Sequence, residues 1–322
     1  MSRKCYVGFD TSNYTTSAAL CDEDGRVIAS IKQPLPVRGG EAGLRQSDAL
    51  FSHIKNLPPV ADRLREALAG YTPAAVGCSA RPRSVEGSYM PCFLAGSAAA
   101  HAFAAAAGVP VLYFSHQDGH IMAAAYSSGE PERFRKDPFC AFHVSGGTTE
   151  ILHVTPRAGG YDIKLLGGTK DLNAGQAIDR AGVMMELSFP CGPALEELAA
   201  ANTEKIPAPR VSVHGLECNL SGLENLAAGL YSASQNKNLT AAYVINFISV
   251  TLCELTSNLR AEYPGLPVLY AGGVMSNSII KSALSRFDNV YFATPEFSAD
   301  NAAGIALLCR RAVADGEGDT HV

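Results

Sequence analysis

Two histidines four residues apart carry the clearest chemistry in the sequence. His116 and His120 follow an apolar segment, residues 109–114, that predicts a buried strand. If the chain becomes helical after that strand, the two imidazoles lie on one helix face, one turn apart. Neutral imidazole nitrogens placed in this way can hold one divalent metal ion, and a carboxylate from elsewhere in the chain would complete the ligand set. A His-x-x-x-His pair also occurs at helix ends that simply meet solvent, so the metal site depends on the rest of the chain.

Small and hydroxyl-bearing residues form turns that suit phosphate groups. Two of them follow predicted strands, at Asp10–Thr16 and Ser145–Thr149, and a third, Gly272-Gly273, lies between a strand and a helix. Such turns expose backbone N–H groups without a steric penalty. Each turn alone is common for purely structural reasons. The sequence has neither a Walker motif nor Gly-x-Gly-x-x-Gly, so no other nucleotide motif competes with these turns.

The predicted strands and turns repeat at the head of each half of the chain. Strand, small-residue turn, strand, hairpin turn and strand run over residues 5–31 and again over residues 139–166. The similarity is one of architecture and not of residues, which indicates a cryptic internal duplication. Strands that alternate with helices predict an α/β protein with mixed sheets. Two equivalent hairpins and a Gly-Gly helix start are typical of the actin, hexokinase and Hsp70 class of folds.

Two lobes are predicted from the length and from a break in the pattern. At 322 residues the chain is too long for one small core. The charged stretch Ser127–Pro138, which contains a glycine and two prolines, is predicted to connect lobes 1–132 and 133–322. A last helix is predicted over residues 302–314, and it is able to pack back on the first lobe.

The composition is that of an ordinary globular protein. Hydrophobic residues make up 47% and charged residues 18%, and the net charge is -5 at pH 7. That charge argues against strong nucleic-acid binding without a local basic patch or a partner, because such binding neutralises many phosphates. The nine cysteines form no Cys-x-x-Cys pair, which favours reduced thiols in a cytoplasmic protein. Neither a signal peptide nor a membrane span is predicted.

Several segments together resemble one family over nearly the whole chain. The matching segments are His116–His120, Val144–Gly147, Ala174–Arg180, Pro190–Pro193, Leu220–Leu223, Ala271–Val274 with Asn277, and Pro295–Asn301. In order and spacing this set is similar to the tRNA threonylcarbamoyladenosine synthases, the TsaD-like proteins once labelled glycoprotein endopeptidases. The resemblance implies a two-lobed actin-like ATPase (ASKHA) fold with duplicated mixed sheets and an interlobe cleft.

The resemblance also implies a metal site that includes the histidine pair. His116, His120 and Asp300 match the family's metal ligands, and Asp300 lies at the predicted start of the last helix. Two imidazoles and a carboxylate suit Fe, Zn or Mn, so the identity of the divalent metal stays open. The other histidines have no ligand-like spacing, and core packing or solvent contact is the expectation for them.

The same resemblance implies a site for ATP or an adenylate. Asp179, Gly192 and Asn277 match contacts to the nucleotide sugar and base, since an aspartate accepts hydrogen bonds from ribose hydroxyls and an asparagine suits a purine. The residues expected around the phosphates are Val144, Ser145, Gly146, Gly147 and Thr148. Further phosphate-side loops are expected at Asp10, Thr11, Ser12, Gly272 and Gly273. No single catalytic residue is assigned.

The function that the resemblance implies is transfer of a threonylcarbamoyl group from threonylcarbamoyl-adenylate to the adenosine adjacent to the anticodon of tRNA. The metal assists this reaction, and accessory protein subunits are expected. One alternative is a nucleotide- and metal-binding paralogue that scaffolds or regulates and transfers nothing. A third hypothesis, a metallopeptidase, is disfavoured because the pair lacks the glutamate of His-Glu-x-x-His and Asp118 is not its equivalent.

The chain departs from the family pattern at several positions. The family's Glu-Thr-Ser-Cys-Asp-Glu-Thr is Asp10–Thr16 here, which lacks two of the acids. A Gly-Pro-Gly segment is Arg81–Arg83, with two cations in place of the glycines. The histidine after Ser-Gly-Gly is Thr148, and the glutamate of Gly-Glu-Ala is Gln176. With the matched metal ligands intact, these changes predict a divergent branch whose activity is slow or depends on partners.

Overall fold

The structure, a computed structural model, describes residues 2–12, 14–35, 45–298 and 302–316. Contacts among these residues define two compact units, which we call unit 1 and unit 2. Unit 1 takes its described residues from Met1–Arg135, Thr155–Ile163 and Ala299–Val322. Unit 2 takes its described residues from Lys136–Val154 and Lys164–Ser298. The units are therefore interleaved along the sequence.

Strands and helices alternate along the described chain. The strands are β1 (Arg3–Thr11), β2 (Thr15–Asp22), β3 (Val27–Pro34), β4 (Tyr71–Arg81), β5 (Val111–Ser115), β6 (Phe139–Val144), β7 (Thr149–Arg157), β8 (Gly160–Thr169), β9 (Ser212–His214), β10 (Glu217–Asn219), β11 (Val268–Ala271) and β12 (Val290–Phe292). The helices are α1 (Gln46–Ala67), α2 (Phe93–Ala107), α3 (His116–Ser127), α4 (Pro131–Lys136), α5 (Ala174–Met184), α6 (Gly192–Ala200), α7 (Gly222–Ser234), α8 (Lys237–Glu262), α9 (Ser278–Leu284), α10 (Pro295–Ser298) and α11 (Ala303–Ala314). A 3-10 turn covers Gly273–Ser276.

The sheet of unit 1 has five strands in the order β3-β2-β1-β4-β5. The β1–β2 and β2–β3 pairs are antiparallel, whereas β4 runs parallel to both β1 and β5. The sheet is therefore mixed, as the sequence predicts. Its central strand β1 is buried from Cys5 to Thr11, because α2 and α11 both pack against it.

Glycines let α11 approach β1 and α3 closely. A methyl group on Gly8 would lie 2.5 Å from the backbone nitrogen of Ala306. A methyl group on Gly304 would lie 1.9 Å from the carbonyl oxygen of Gly119. Both distances are far below van der Waals contact, so a residue larger than glycine would push the elements apart. Helix α11 thereby fixes the position of α3, which carries the histidine pair.

The other sheet has seven strands in the order β12-β11-β6-β7-β8-β10-β9. The β6–β11 and β11–β12 pairs are parallel, and the β6–β7 pair is antiparallel. Helix α8 of unit 2 has 26 residues and is apolar enough to span a membrane by length and composition, but 83% of its apolar window is buried inside the protein. It is a core helix, packed against α6, α7 and α9.

The elements differ from the prediction in several places. The turn after the first strand is shorter than Asp10–Thr16, because β1 continues to Thr11 and β2 begins at Thr15. The predicted connection Ser127–Pro138 contains helix α4, which Phe134 anchors with a fully buried ring. The β9–β10 hairpin was not predicted, because strands of three residues are too short to display an alternating pattern.

Candidate functional site

Helix α3 begins with a capping box that sets the direction of the histidine pair. Ser115 Oγ accepts a hydrogen bond from Asp118 N at 3.1 Å, and Asp118 Oδ2 accepts one from Ser115 N at 3.2 Å. The Ser84 hydroxyl also donates to Asp118 Oδ2, at 2.8 Å. These contacts satisfy N–H groups of the first turn and fix where the helix starts. His116 is therefore the first helical residue, and His120 lies one turn further on.

The two imidazoles face each other, and a carboxylate supports one of them. Nε2 of His116 lies 2.8 Å from Nε2 of His120. Nδ1 of His116 lies 3.0 Å from Oδ1 of Asp10, a fully buried residue whose Oδ1 also accepts a hydrogen bond from the Ser79 hydroxyl. A carboxylate beside Nδ1 favours the tautomer that carries its proton there. Nε2 of His116 then presents its lone pair towards His120.

This donor set fits a divalent ion. Bonds of about 2.0–2.1 Å from one ion to two imidazole nitrogens place those nitrogens roughly 2.9–3.4 Å apart. The two Nε2 atoms lie at hydrogen-bond distance, so a small separation of the rings would admit an ion. A histidine whose other nitrogen binds a carboxylate is the usual arrangement at metal sites. The expected third ligand, Asp300, lies outside the described residues. Within the described ranges, no group of three His, Cys, Asp or Glu side chains could hold a metal, so a metal site at the pair would need a ligand from outside those ranges.

The turn after β6 leaves its backbone open in unit 2. Ser145 N donates to Thr148 O at 2.7 Å, and Gly147 N donates to Ser145 Oγ at 3.3 Å. Gly146 and Gly147 are exposed, and a methyl group on either would meet nothing within 4 Å. Helix α5 starts beside the turn, where Gly175 N donates to Ser145 O at 3.1 Å. A glycine turn next to a helix N-terminus suits a phosphate group.

A second glycine segment reaches the same turn because β11 runs beside β6. Ala271 pairs with His143 in parallel register. Gly272 follows with a φ of 102°, and a methyl group there would lie 2.2 Å from Val144 O. Only glycine fits this backbone angle and this close approach. Gly273 then begins the 3-10 turn, so both predicted glycine segments lie together.

Asp179 connects α5 to the start of α6. Its Oδ1 accepts a hydrogen bond from Cys191 N at 2.8 Å, and Gly192 is the first residue of α6. Burial raises the pKa of Asp179, and the Cys191 N–H bond offsets part of that rise. A carboxylate that accepts one such bond keeps lone pairs for hydroxyl donors. A methyl group on Gly192 would meet nothing within 4 Å, so the space beside Asp179 is open.

Asn277 is buried and caps α9. Its Oδ1 accepts hydrogen bonds from Ile279 N at 3.1 Å and from Ile280 N at 3.0 Å. Next to it, Ser278 N donates to Oε1 of Glu196 at 2.7 Å, which ties α9 to α6. Since the carbonyl of the Asn277 amide is committed to the cap, its NH2 group is the part left for a ligand. Towards a purine, Asn277 would act as a donor.

The segment that contains Leu220 and Ser221 is held by one carboxylate. Asp171 accepts hydrogen bonds from Leu220 N at 2.8 Å, from Ser221 N at 3.2 Å and from the Ser221 hydroxyl at 2.5 Å. Burial alone would raise the pKa of Asp171, but the hydrogen bonds from Ser221, Leu220 and Leu172 lower it more strongly, to about 2. The family-like spacing of this segment therefore has a structural explanation.

Asp171→Asn is expected to make the protein less stable at neutral pH, because an amide accepts these hydrogen bonds less strongly than a carboxylate. The native pKa of Asp171 is about 2 and its ordinary value is 3.8. The stability that its charge contributes is therefore fully present above about pH 4 and is lost as the pH falls towards 2. Urea unfolding from pH 7 to pH 2 should show the difference between wild type and variant shrinking over that window. Asp288→Asn, at an exposed position of unit 2, is the control. A difference that stays constant down to pH 2 would contradict the assignment.

The cysteines have no part in the candidate chemistry. All nine are free and buried. Burial raises the pKa of each thiol, to about 12 for Cys5, Cys78, Cys92 and Cys140. A thiol that stays protonated at neutral pH is a poor nucleophile and a poor metal ligand. The candidate chemistry therefore rests on histidines, carboxylates and backbone N–H groups.

Comparison with known proteins decides the family. A family model described as TsaD, tRNA N6-adenosine threonylcarbamoyltransferase, matches residues 45–307. The chain belongs to this family. The tRNA N6-adenosine threonylcarbamoyltransferase of Vesicomyosocius okutanii subsp. Calyptogena okutanii (strain HA) is 34% identical over 237 residues, which are 71% of this chain and 67% of that protein.

Solved structures share the fold. Component A of (R)-2-hydroxyglutaryl-CoA dehydratase from Acidaminococcus fermentans aligns with a TM-score of 0.55 at 16% identity, over 96% of this chain and 99% of that chain. The activator of 2-hydroxyisocaproyl-CoA dehydratase from Clostridium difficile, with bound ADPNP, aligns with a TM-score of 0.54 at 13% identity, over 97% and 96% of the two chains. At such identities the likeness is one of fold alone. The chain has the actin-like ATPase (ASKHA) fold, and this prediction is confirmed.

The first of the predicted phosphate-side loops is engaged inside unit 1. Asp10 and Thr11 end strand β1, and both are fully buried. Thr11 Oγ1 donates to Cys92 O at 2.9 Å and accepts from Gly96 N at 3.0 Å, which joins β1 to the start of α2. Ser12 is buried as well. A phosphate role for these residues stays a prediction, and their internal partners weigh against it.

Sequence reasoning missed several residues that shape the site. Asp10 and His116 are 106 residues apart in the sequence, and no local pattern predicts their contact. The capping box of α3 was readable, because Ser-x-x-Asp before a helix is its usual signature. The same holds for Gln176, whose Oε1 accepts a hydrogen bond from Asn173 N at 3.4 Å in the capping box of α5. Gln176 is therefore part of the structure that starts α5.

Proposed function

We propose that the protein transfers a threonylcarbamoyl group from threonylcarbamoyl-adenylate to N6 of the adenosine adjacent to the anticodon of tRNA. In this reaction the N6 amine attacks the carbamoyl carbonyl carbon and forms a new C–N bond. The C–O bond to the phosphate of AMP breaks, AMP leaves, and N6 loses one proton. The reaction class follows the family to which the chain belongs.

The observation that carries the proposal is the Nε2 pair of His116 and His120, with Asp10 behind His116. In this family member the two imidazoles keep a spacing that suits one ion, although the chain departs from the family pattern elsewhere. His116 and His120 would hold a divalent ion of Fe, Zn or Mn, with Asp300 as the third ligand implied by the family. When bound, such an ion supplies Lewis-acid polarisation of the carbonyl.

The residues of unit 2 would bind and orient the adenylate. Gly146 and Gly147 are exposed, so the backbone of this turn would meet the phosphate, with Gly147 N exchanging its bond to Ser145 Oγ for a phosphate oxygen. Asp179 would accept hydrogen bonds from the ribose hydroxyls, and the amide NH2 of Asn277 would donate to the base. These roles use the groups that each side chain leaves free after its internal hydrogen bonds.

Docking of tRNA would need help beyond the net charge. The chain carries a net charge of -5, and polyanion binding depends on clustered cations. We therefore include a local basic patch or accessory protein subunits in the proposal. The cytoplasmic location also belongs to it, since tRNA is the substrate and all nine cysteines are free thiols.

The experiment combines the purified protein with threonylcarbamoyl-adenylate and an unmodified tRNA that carries adenosine next to its anticodon. Mass analysis of the tRNA nucleosides over hours should detect threonylcarbamoyladenosine. His116→Ala should abolish the product, whereas His214→Ala, at an exposed position of β9, should leave it unchanged. Product formation that His116→Ala does not alter would contradict the role of the pair.

A non-catalytic paralogue is the second candidate function. It is favoured by the absence of the family's Asp and Glu at Tyr14 and Thr15. Nucleotide and metal binding without any modified tRNA would support it.

Metallopeptidase activity is opposed by Asp118, the acid between the two histidines. Its Oδ2 is occupied by Ser115 and Ser84 in the helix cap, so this carboxylate is not placed as a general base.

Asp179→Asn is expected to weaken binding of adenine nucleotides by about 1–3 kcal/mol, the usual effect of losing a charged hydrogen-bond partner. The amide can still accept the bond from Cys191 N, so the start of α6 should stay in place. Calorimetry with ATP is the measurement, and Glu197→Gln on the exposed face of α6 is the control. Equal ATP affinity in the Asp179 variant and the wild type would exclude a ribose contact.

A further inference from the structure

A cavity of about 400 Å³ lies in unit 1 beside helix α3. The ends of β4 and β5, the tip of the β7–β8 hairpin and the last turn of α11 border it. This volume is at the lower end of the range for small-molecule pockets. The side chains that bring polar groups to its wall include Arg81, Ser84, Asp118 and Arg157. Nothing in the proposed function uses this cavity.

Two guanidinium groups in the wall have no acidic partner among the described residues. The Arg81 side chain makes no ion pair or hydrogen bond with any of the residues that the structure describes. Arg157 donates from Nε to Tyr161 O at 3.2 Å and pairs with no carboxylate in the described chain. Guanidinium groups match carboxylate and phosphate oxygens in geometry and charge. Position 81 is a glycine in the family pattern, so this cation is a feature of this chain.

Asp118 adds an acceptor to the same wall. It is only 4% exposed, and its Oδ2 accepts hydrogen bonds from Ser115 N, Ser115 Oγ and Ser84 Oγ. Its Oδ1 is buried and has no partner among the described residues. A buried carboxylate oxygen is costly to leave without a donor. Asp118 lines the cavity, so a hydroxyl or ammonium group of a bound molecule would supply a donor once the side chain turns this oxygen to the wall.

The face of α3 that lines the cavity is not the face that carries the histidines. Asp118 lies two residues from both His116 and His120, which is about 200° around a helix of 3.6 residues per turn. The Asp10 carboxylate supports His116 on the other face, whereas Asp118 lines the cavity. A ligand of this cavity would therefore not compete with a metal ion for the histidines.

We propose that this cavity binds a small organic anion that also carries a hydroxyl or ammonium group. Arg81 and Arg157 bind its carboxylate or phosphate, and Asp118 accepts a hydrogen bond from its donor group. A carboxylate and a phosphate would bind these groups in the same way. The test therefore compares a phosphate ester with an amino or hydroxy acid. Binding at this site requires neither tRNA nor transfer activity, so its test is independent of the proposed function.

The test is calorimetry on the full chain after metal removal, with three probes. Glycerol 3-phosphate offers a phosphate with hydroxyls, L-serine offers a carboxylate with donors, and acetate offers a carboxylate without a donor. We expect glycerol 3-phosphate or L-serine to bind more tightly than acetate, and the tighter of the two names the class of anion. If neither binds the wild-type protein, the cavity holds only water and the proposal is wrong.

Substitutions then locate the site. Arg81→Gln and Arg157→Gln should each weaken binding of the tighter probe by about tenfold or more, since each removes a charge-assisted hydrogen-bond donor. Arg83→Gln is the matched control, because Arg83 lies two residues along the same segment and does not line the cavity. Thermal unfolding of each variant checks that the fold is kept. Equal affinity in all variants, or an equal loss in the Arg83 variant, would overturn the proposal.

Discussion

Alanine at His116 or His120 is expected to remove stoichiometric divalent metal from the protein while unfolding stays cooperative. In the proposed metal site the two Nε2 atoms, 2.8 Å apart, would both bind the ion, and one imidazole alone would leave it too few protein ligands. Elemental analysis after purification without chelators is the measurement. His214→Ala, at an exposed position, should retain the metal of the wild type. Full occupancy in both alanine variants at the pair would show that the ion lies elsewhere.

Asp10→Asn separates a supporting role of the carboxylate from a purely structural one. Loss of the partner behind a metal-binding histidine typically costs 10- to 100-fold in metal affinity, and we expect about that loss here. Asp10 is fully buried and its Oδ2 has no hydrogen bond within the described residues, so removing its charge should not destabilise the metal-free protein. Metal titration and thermal unfolding of the metal-free form are the two readouts. Unchanged affinity, or a loss of affinity that merely follows a loss of stability, would contradict the supporting role.

The histidine pair could be predicted because its information is local. A spacing of four residues in a helix brings His116 and His120 together. Ser115 and Asp118 form the capping box that starts this helix. Asp10 could not be found in the same way. It reaches His116 only because β1 lies in the middle of a sheet whose order places β4 between β1 and β5. That order depends on strand pairings far apart in sequence, which no local pattern contains.

The fold class followed from alternation of elements, but the assignment of the β7–β8 hairpin tip to unit 1 did not. The tip of the β7–β8 hairpin, Thr155–Ile163, is counted with unit 1, although the flanking strand residues belong to unit 2. Its ties are specific contacts, such as Arg311 Nη2 donating to Arg157 O at 2.7 Å. A contact of this kind joins α11 to a hairpin more than 150 residues away, and composition or periodicity gives no sign of it.

The unit 2 turn shows the opposite case, in which a weak local pattern gains meaning from topology. Gly272 alone is an ordinary glycine, but its φ of 102° and its approach to Val144 O are required by the parallel pairing of β6 and β11. The sequence suggested separate glycine turns. The sheet order brings two of them to one end of neighbouring strands, where ligands of α/β proteins commonly bind. The nucleotide role of this turn stays a prediction.

Slow transfer is the expected result for the wild-type protein, and restoring the family's acids should raise the rate. Where the family has Cys-Asp-Glu, this chain has Asn13, Tyr14 and Thr15. Asn13 lies outside the described residues, while Thr15 begins β2. Loss of a positioned acid or base commonly costs a factor of roughly 100 to 10,000 in rate. If the chemistry is shared with the family, the combined variant Asn13→Cys, Tyr14→Asp and Thr15→Glu should recover about 100-fold of it or more.

Single-turnover formation of threonylcarbamoyladenosine is the measurement for this variant. Asn13→Cys alone is the matched control, because it alters the same turn and adds no carboxylate. ATP affinity should be equal in all three proteins, since the proposed nucleotide contacts at Gly146, Gly147 and Asp179 belong to unit 2 and the substitutions lie in unit 1. Rapid turnover by the wild-type protein alone would show that the divergent turn is harmless. If the combined variant transfers no faster and still binds ATP, the two missing acids are not what limits transfer. That result would favour the non-catalytic paralogue.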